Sequence, residues 1–141
     1  MTLAQLKAKL IIVTGTDIAE VLFDWQEYLN EQRIKVYPAI LWSLNGAKFI
    51  KDIRSTITQK RKLLTLTVFA IAGFDAINQD RLTVWDALEE DLDAYLNAVN
   101  AMTNLSIEGI EKIEGEYFPE GLLSIDSEVG IGYKVTLRMF C

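Results

Sequence analysis

The sequence contains no histidine in its 141 residues. That absence removes Ser-His-Asp catalysis, His-ligated zinc and the commonest general base in one stroke. Cysteine occurs once, as Cys141. No internal disulfide can form, and without an imidazole to activate it the thiol is a poor candidate nucleophile. Proline occurs only at Pro38 and Pro119, no Pro/Ser-rich linker interrupts the chain, and no internal repeat is evident. The expectation is one domain spanning residues 1–141. Long hydrophobic runs are also missing: the longest apolar stretches, 10–13 and 68–72, fall far short of the roughly 18 residues that a membrane-spanning helix needs. The first seven residues lack the basic-then-apolar layout of a secretory signal, so the chain reads as soluble and intracellular.

Apolar residues and segregated charge are what the chain does have. Half of the residues are apolar, enough to build a core, and the net charge is −6. A negative chain is poorly suited to wrapping nucleic acid, although a local basic patch could still touch it. Such a patch exists. Residues 45–62 hold Lys48, Lys51, Arg54, Lys60, Arg61 and Lys62 against the single acid Asp52. A run of acids, Asp86, Glu89, Glu90, Asp91 and Asp93, follows, and residues 108–128 hold seven acids against Lys112 alone. Separate positive and negative patches on one small domain suit it to meet another charged surface, including a copy of itself.

The apolar periodicity sets the expected elements. Leu3, Leu6 and Leu10 have helical spacing and suggest a short first helix. Thr16 or Asp17 could cap a longer helix, whose apolar face would be Ile18, Val21, Leu22, Trp25 and Leu29 and which would end near Arg33. Residues 36–44 read as a strand, Asn45-Gly46 as a turn, and residues 47–59 as an extended arm or hairpin. Residues 63–72 are β-rich. Asn78 or Asp80 would start a second long helix with Leu82, Trp85, Leu88, Leu92, Leu96 and Val99 on its apolar face. Residues 105–113 suggest another strand, and 129–140 alternate more cleanly than any other stretch. The expected fold is α+β: a mainly antiparallel sheet of four to five strands, with two long amphipathic helices packed on one face and a basic arm at 45–62.

Possible chemical sites are few. Asp86, Glu89, Glu90 and Asp93 share one helical face, and clustered oxygens attract hard cations. A di-iron-type site would need Glu-x-x-His, which this chain cannot supply, so a solvated or partner-facing acidic surface is expected and no metal. Asp75 and Asp126 lie near strand ends, where carboxylates ordinarily cap turns. Gly130-Ile131-Gly132 is too short for a phosphate loop and sits at the start of a strand, where a bulge or tight packing explains it. No catalytic residue and no cofactor are assigned. The partner-binding residues expected are Lys48, Lys51, Arg54, Lys60, Arg61 and Lys62 on the basic side, and Asp86, Glu89, Glu90 and Asp93 on the acidic side.

The order helix, strand, arm, strand, helix, strand, strand resembles that of tail-terminator and related neck or tail-completion proteins of tailed bacteriophages. The strand at 63–72, the Trp85-Asp86 helix opening and the closing Gly132-Tyr133-Lys134-Val135-Thr136-Leu137 strand carry the resemblance, which spans nearly the whole chain. It implies a structural, ring-forming homo-oligomer that caps a tail tube or joins it to the head. The protein would reside in the virion, be assembled in the bacterial cytoplasm and contact adjacent tail-tube or neck proteins. By that analogy the basic arm would project toward the lumen or the adjacent ring. The alternative reading is a small intracellular binding module for a ligand or nucleic acid.

Overall fold

The computed structural model describes residues 1–11, 17–25, 36–50, 61–75, 77–116 and 129–141. They form an α+β domain with a five-stranded mixed sheet. The elements are α1 (Leu3–Ile11), β1 (Glu20–Trp25), β2 (Ala39–Ile50), β3 (Arg61–Phe74), α2 (Arg81–Asn100), β4 (Ser106–Glu116) and β5 (Val129–Phe140). The sheet order is β1-β2-β3-β5-β4. β1 runs parallel to β2, and the other three pairings are antiparallel.

The expectation of two long helices on one face fails. Among the described residues, only α2 is long, at 20 residues, whereas α1 has nine. The segment expected to be the first long helix instead contains β1. Val21 and Phe23 turn to the main core, while Leu22 packs on the opposite face against Ala39, Leu41 and Ile71. A strand apolar on both faces shows no clean alternation, and its run of apolar residues can be threaded on a helical spacing. Phe23, which that helical face leaves out, is buried. Residues 26–35 lie outside the described residues. Parallel pairing of β1 with β2 fits the 13 residues between Trp25 and Ala39, because a parallel crossover needs about a dozen or more.

Asn45-Gly46 is not a turn. β2 runs through it, and the pairing with β3 slips by one residue between Leu44 and Gly46, a β-bulge. Ser43 donates to Asn45 Oδ1 at 3.1 Å, and Asn45 Nδ2 donates to Thr67 Oγ1 at 2.7 Å, fastening the irregularity to β3. β2 and β3 stay paired as far as Ile50 opposite Arg61, and residues 51–60 of the expected arm lie outside the described residues.

Helix ends follow local chemistry. Thr2 and Gln5 form a reciprocal capping pair at α1: Thr2 N donates to Gln5 Oε1, and Gln5 N donates to Thr2 Oγ1. Asp80 caps α2, accepting from Thr83 N at 3.1 Å and Thr83 Oγ1 at 2.8 Å.

The main core lies on one face of the sheet. It joins Leu6 and Leu10 of α1 and Leu88, Leu92, Tyr95, Leu96 and Val99 of α2 to inward-facing residues of the strands, among them Trp42, Leu66, Val135 and Met139. Fully burying such side chains stabilises the fold by about 1.5–3 kcal/mol each. Leu82, expected on the apolar face of α2, is 67% exposed, whereas Tyr95, not expected there, is buried.

Candidate functional site

The strand register shows how charge is arranged along the domain. Ala39 pairs with Ile71 at one end of the β2–β3 ladder, and Ile50 pairs with Arg61 at the other. Eleven residue steps separate them along β2, about 35 Å at roughly 3.3 Å per residue.

The basic residues gather at the hairpin end. Lys48, paired with Leu63, is exposed. Lys62 stands on the helix-bearing face, half-buried, and its Nζ donates to the Met1 carbonyl. Its backbone exchanges two hydrogen bonds with Cys141, at 2.9 and 3.0 Å. Lys62 is therefore built into the fold, and its ammonium group is not a freely projecting charge of the arm. Arg61 opens β3 opposite Ile50. Lys51, Arg54 and Lys60 lie outside the described residues. On α1, Lys9 donates to the Thr103 carbonyl at 3.3 Å, adding a cation at the same end. Burial pushes the Cys141 thiol above its ordinary value, against the opposing pull of Lys62 and the N-terminal amine. A raised pKa keeps the thiol protonated at neutral pH and weakens it as a nucleophile.

A cluster of acids lies toward the opposite end, although Glu108 of β4, opposite Arg138, stands toward the hairpin end. The β3–α2 connection is ordered by Asp75, whose carboxylate accepts from Ile77 N at 3.0 Å and Asn78 Nδ2 at 2.7 Å. Asp75 N donates in turn to Gln79 Oε1 at 2.8 Å. The bond from Asn78, followed by that from the Ile77 amide, holds Asp75 below the usual carboxylate range. Asp75 is thus a turn-organising residue. Asp126, the other isolated acid, lies outside the described residues.

The four acids expected as a partner surface on α2 divide into two pairs. Glu89 accepts from the Tyr133 hydroxyl at 3.2 Å, and Asp93 forms an ion pair with Lys112 on β4. These two fasten α2 to the sheet. Asp86 and Glu90 remain exposed. Trp85 adds to the fastening, donating from Nε1 to the Gly132 carbonyl at 3.2 Å. No group of three or more potential metal ligands occurs among the described residues.

Between the start of α2 and the adjoining strand ends lies an open groove of about 970 Å³. Tyr37, Pro38, Phe74, Asp75, Ala87 and Asp91 are among its lining residues. The described lining is largely apolar and includes two carboxylates but no lysine or arginine. Asp91 is half-buried. Desolvation, followed by repulsion from Asp17 and Glu90, raises its pKa. Arg81 stands beside the groove with its guanidinium 4.9 Å from the centroid of the Phe74 ring. Among the described residues, the buried Tyr37 hydroxyl has no hydrogen-bond partner. The groove was not foreseen in the sequence. Its residues come from three separated stretches, and only the polar turn at Asp75 gave a local sign of it.

The chain matches no known protein family and no curated protein. Among the described residues, no helix is long and apolar enough to cross a membrane.

Proposed function

We propose that this chain is a structural assembly protein of a phage or prophage particle, a subunit that joins its neighbours head to tail into a ring at the tail end or head–tail neck. One observation carries the reading. A basic cluster, Lys48 and Lys9, lies toward the hairpin end, and a cluster of acids, Asp75, Asp86, Glu90 and Asp91, lies along and before the first half of α2. A subunit with complementary poles favours heterologous contacts, which close into a ring when the rotation between neighbours closes. Its poles also steer copies into register and disfavour like-to-like pairing. The sequence resemblance to tail-terminator and neck proteins in the 63–72 strand, the Trp85-Asp86 helix opening and the closing 132–137 strand supports the choice of particle and position.

The test is absolute mass in solution, by light scattering coupled to size exclusion, over a range of protein and salt concentrations. A discrete multimer at low salt that loses subunits as salt rises is expected, because salt screens contacts between exposed charges. A strict monomer under every condition, combined with saturable binding of a nucleic acid, would replace this reading with that of a small binding module.

A further inference from the structure

We propose that the groove at the start of α2 is the docking site for the basic segment 51–60 of a second copy of this chain. The inference rests on the self-assembly reading above and names the surfaces that would meet.

The first argument is chemical complementarity. Segment 51–60 carries Lys51, Arg54 and Lys60 against Asp52, interleaved with Ile53 and Ile57. The described lining of the groove is largely apolar and carries Asp75 and Asp91 as its charged groups. An apolar trough with carboxylates suits an occupant with isoleucines and cations close together, because the ring and aliphatic surfaces can pack while the charges pair. Asp91 gives a second reason for occupancy. It is already strained by burial and by neighbouring acids, so an incoming cation would relieve a repulsion that the isolated domain retains.

The second argument is reach. The segment leaves the sheet at Ile50 and returns at Arg61, whereas the groove is lined by Tyr37, Pro38 and Phe74 beyond the other end of the same ladder. The ladder is about 35 Å long at about 3.3 Å per residue. A ten-residue connection anchored at both ends extends at most about 18 Å from its anchors. The arm therefore cannot fill the groove of its own subunit. A second copy can present it, and every copy would then give one arm and receive one.

The test uses two full-length charge-reversed chains. The arm variant carries Lys51→Glu, Arg54→Glu and Lys60→Glu. The groove variant carries Ala87→Lys and Asp91→Lys, with Ala87→Lys alone as a milder version should the pair disturb α2. Circular dichroism checks that each is folded. Each variant alone should associate at least about ten-fold more weakly than the parent, since like charges now face each other across the contact. An equimolar mixture should regain the parental mass, because an acidic arm then meets a basic groove and a basic arm meets an acidic one. A groove variant that assembles like the parent, or a mixture that stays dissociated while the parent assembles, overturns the docking inference and leaves self-assembly standing. A parent that is monomeric throughout overturns the docking inference, and together with saturable nucleic-acid binding it overturns the self-assembly reading as well.

Discussion

The Tyr95 hydroxyl accepts a hydrogen bond from the Trp42 indole at 2.9 Å and donates one to the Leu10 carbonyl at 2.8 Å. Their rings lie 6.2 Å apart, tilted by 51°. This one oxygen joins α2, β2 and α1 inside the main core, and it satisfies a buried donor and a helix-end acceptor at once. Burial drives the Tyr95 pKa far upward, so it remains a neutral donor at any ordinary pH. Tyr95→Phe should keep the ring packing and orphan both partners, lowering stability by about 1–3 kcal/mol. Urea unfolding of parent and variant measures this, and Trp42→Phe should cost less beyond its packing loss because Tyr95 would keep its bond to Leu10.

Gly132 allows β5 to lie close against β3. A Cβ built there would stand 1.8 Å from the Ala70 carbonyl oxygen and 2.9 Å from its carbon, both backbone atoms. No side-chain rotation can relieve that overlap, so the strands would have to part. Separation would also disturb the Trp85 bond to the Gly132 carbonyl. Gly132→Ala should therefore destabilise the domain by about 3 kcal/mol or more, at the upper end of overpacking penalties. The loss would appear as a lower denaturation midpoint, whereas an unchanged midpoint would mean the strands separate at little cost.

Asp91 should make stability depend on pH in the opposite sense to a salt-bridged carboxylate. Its pKa is raised above the ordinary Asp value of 3.8, so the folded chain holds that proton to higher pH than the unfolded chain does. Its contribution is most favourable below 3.8 and is lost as pH rises through the elevated pKa. Asp91→Asn should therefore be more stable than the parent at neutral pH and no more stable in acid below that value. Parallel unfolding curves at the two pH values, taken at concentrations too low for association, give the sign directly.

The parts of the fold that could be read from the sequence are those with one dominant period. Leu88, Leu92, Leu96 and Val99 mark α2, Asp80 marks its start, and alternation marks β5. β1 was hidden because Leu22 and Phe23 face different apolar layers. The continuation of β2 through Asn45-Gly46 was hidden because a bulge uses residues that also favour turns. Within the expected partner surface, sequence alone could not separate Glu89 and Asp93, engaged with Tyr133 and Lys112, from the exposed Asp86 and Glu90. Helical spacing places four acids together, but only the neighbouring strands determine which of them are already spoken for.

The bulge in β2 has a consequence for the hairpin beyond it. Before the slip, the even-numbered residues Ile40, Trp42 and Leu44 enter the main core. After it, the odd-numbered Ala47 packs against that core and Lys48 is exposed. One inserted residue thus inverts the parity of the strand. Under the earlier phase, Lys48 would be aimed at the helices and would carry a charge into hydrocarbon. The extra residue consequently keeps Ala47 opposite Leu64 on the dry side and Lys48 opposite Leu63 on the wet side, and pairing without the slip would exchange the two sides of the hairpin stem without altering any side chain within it.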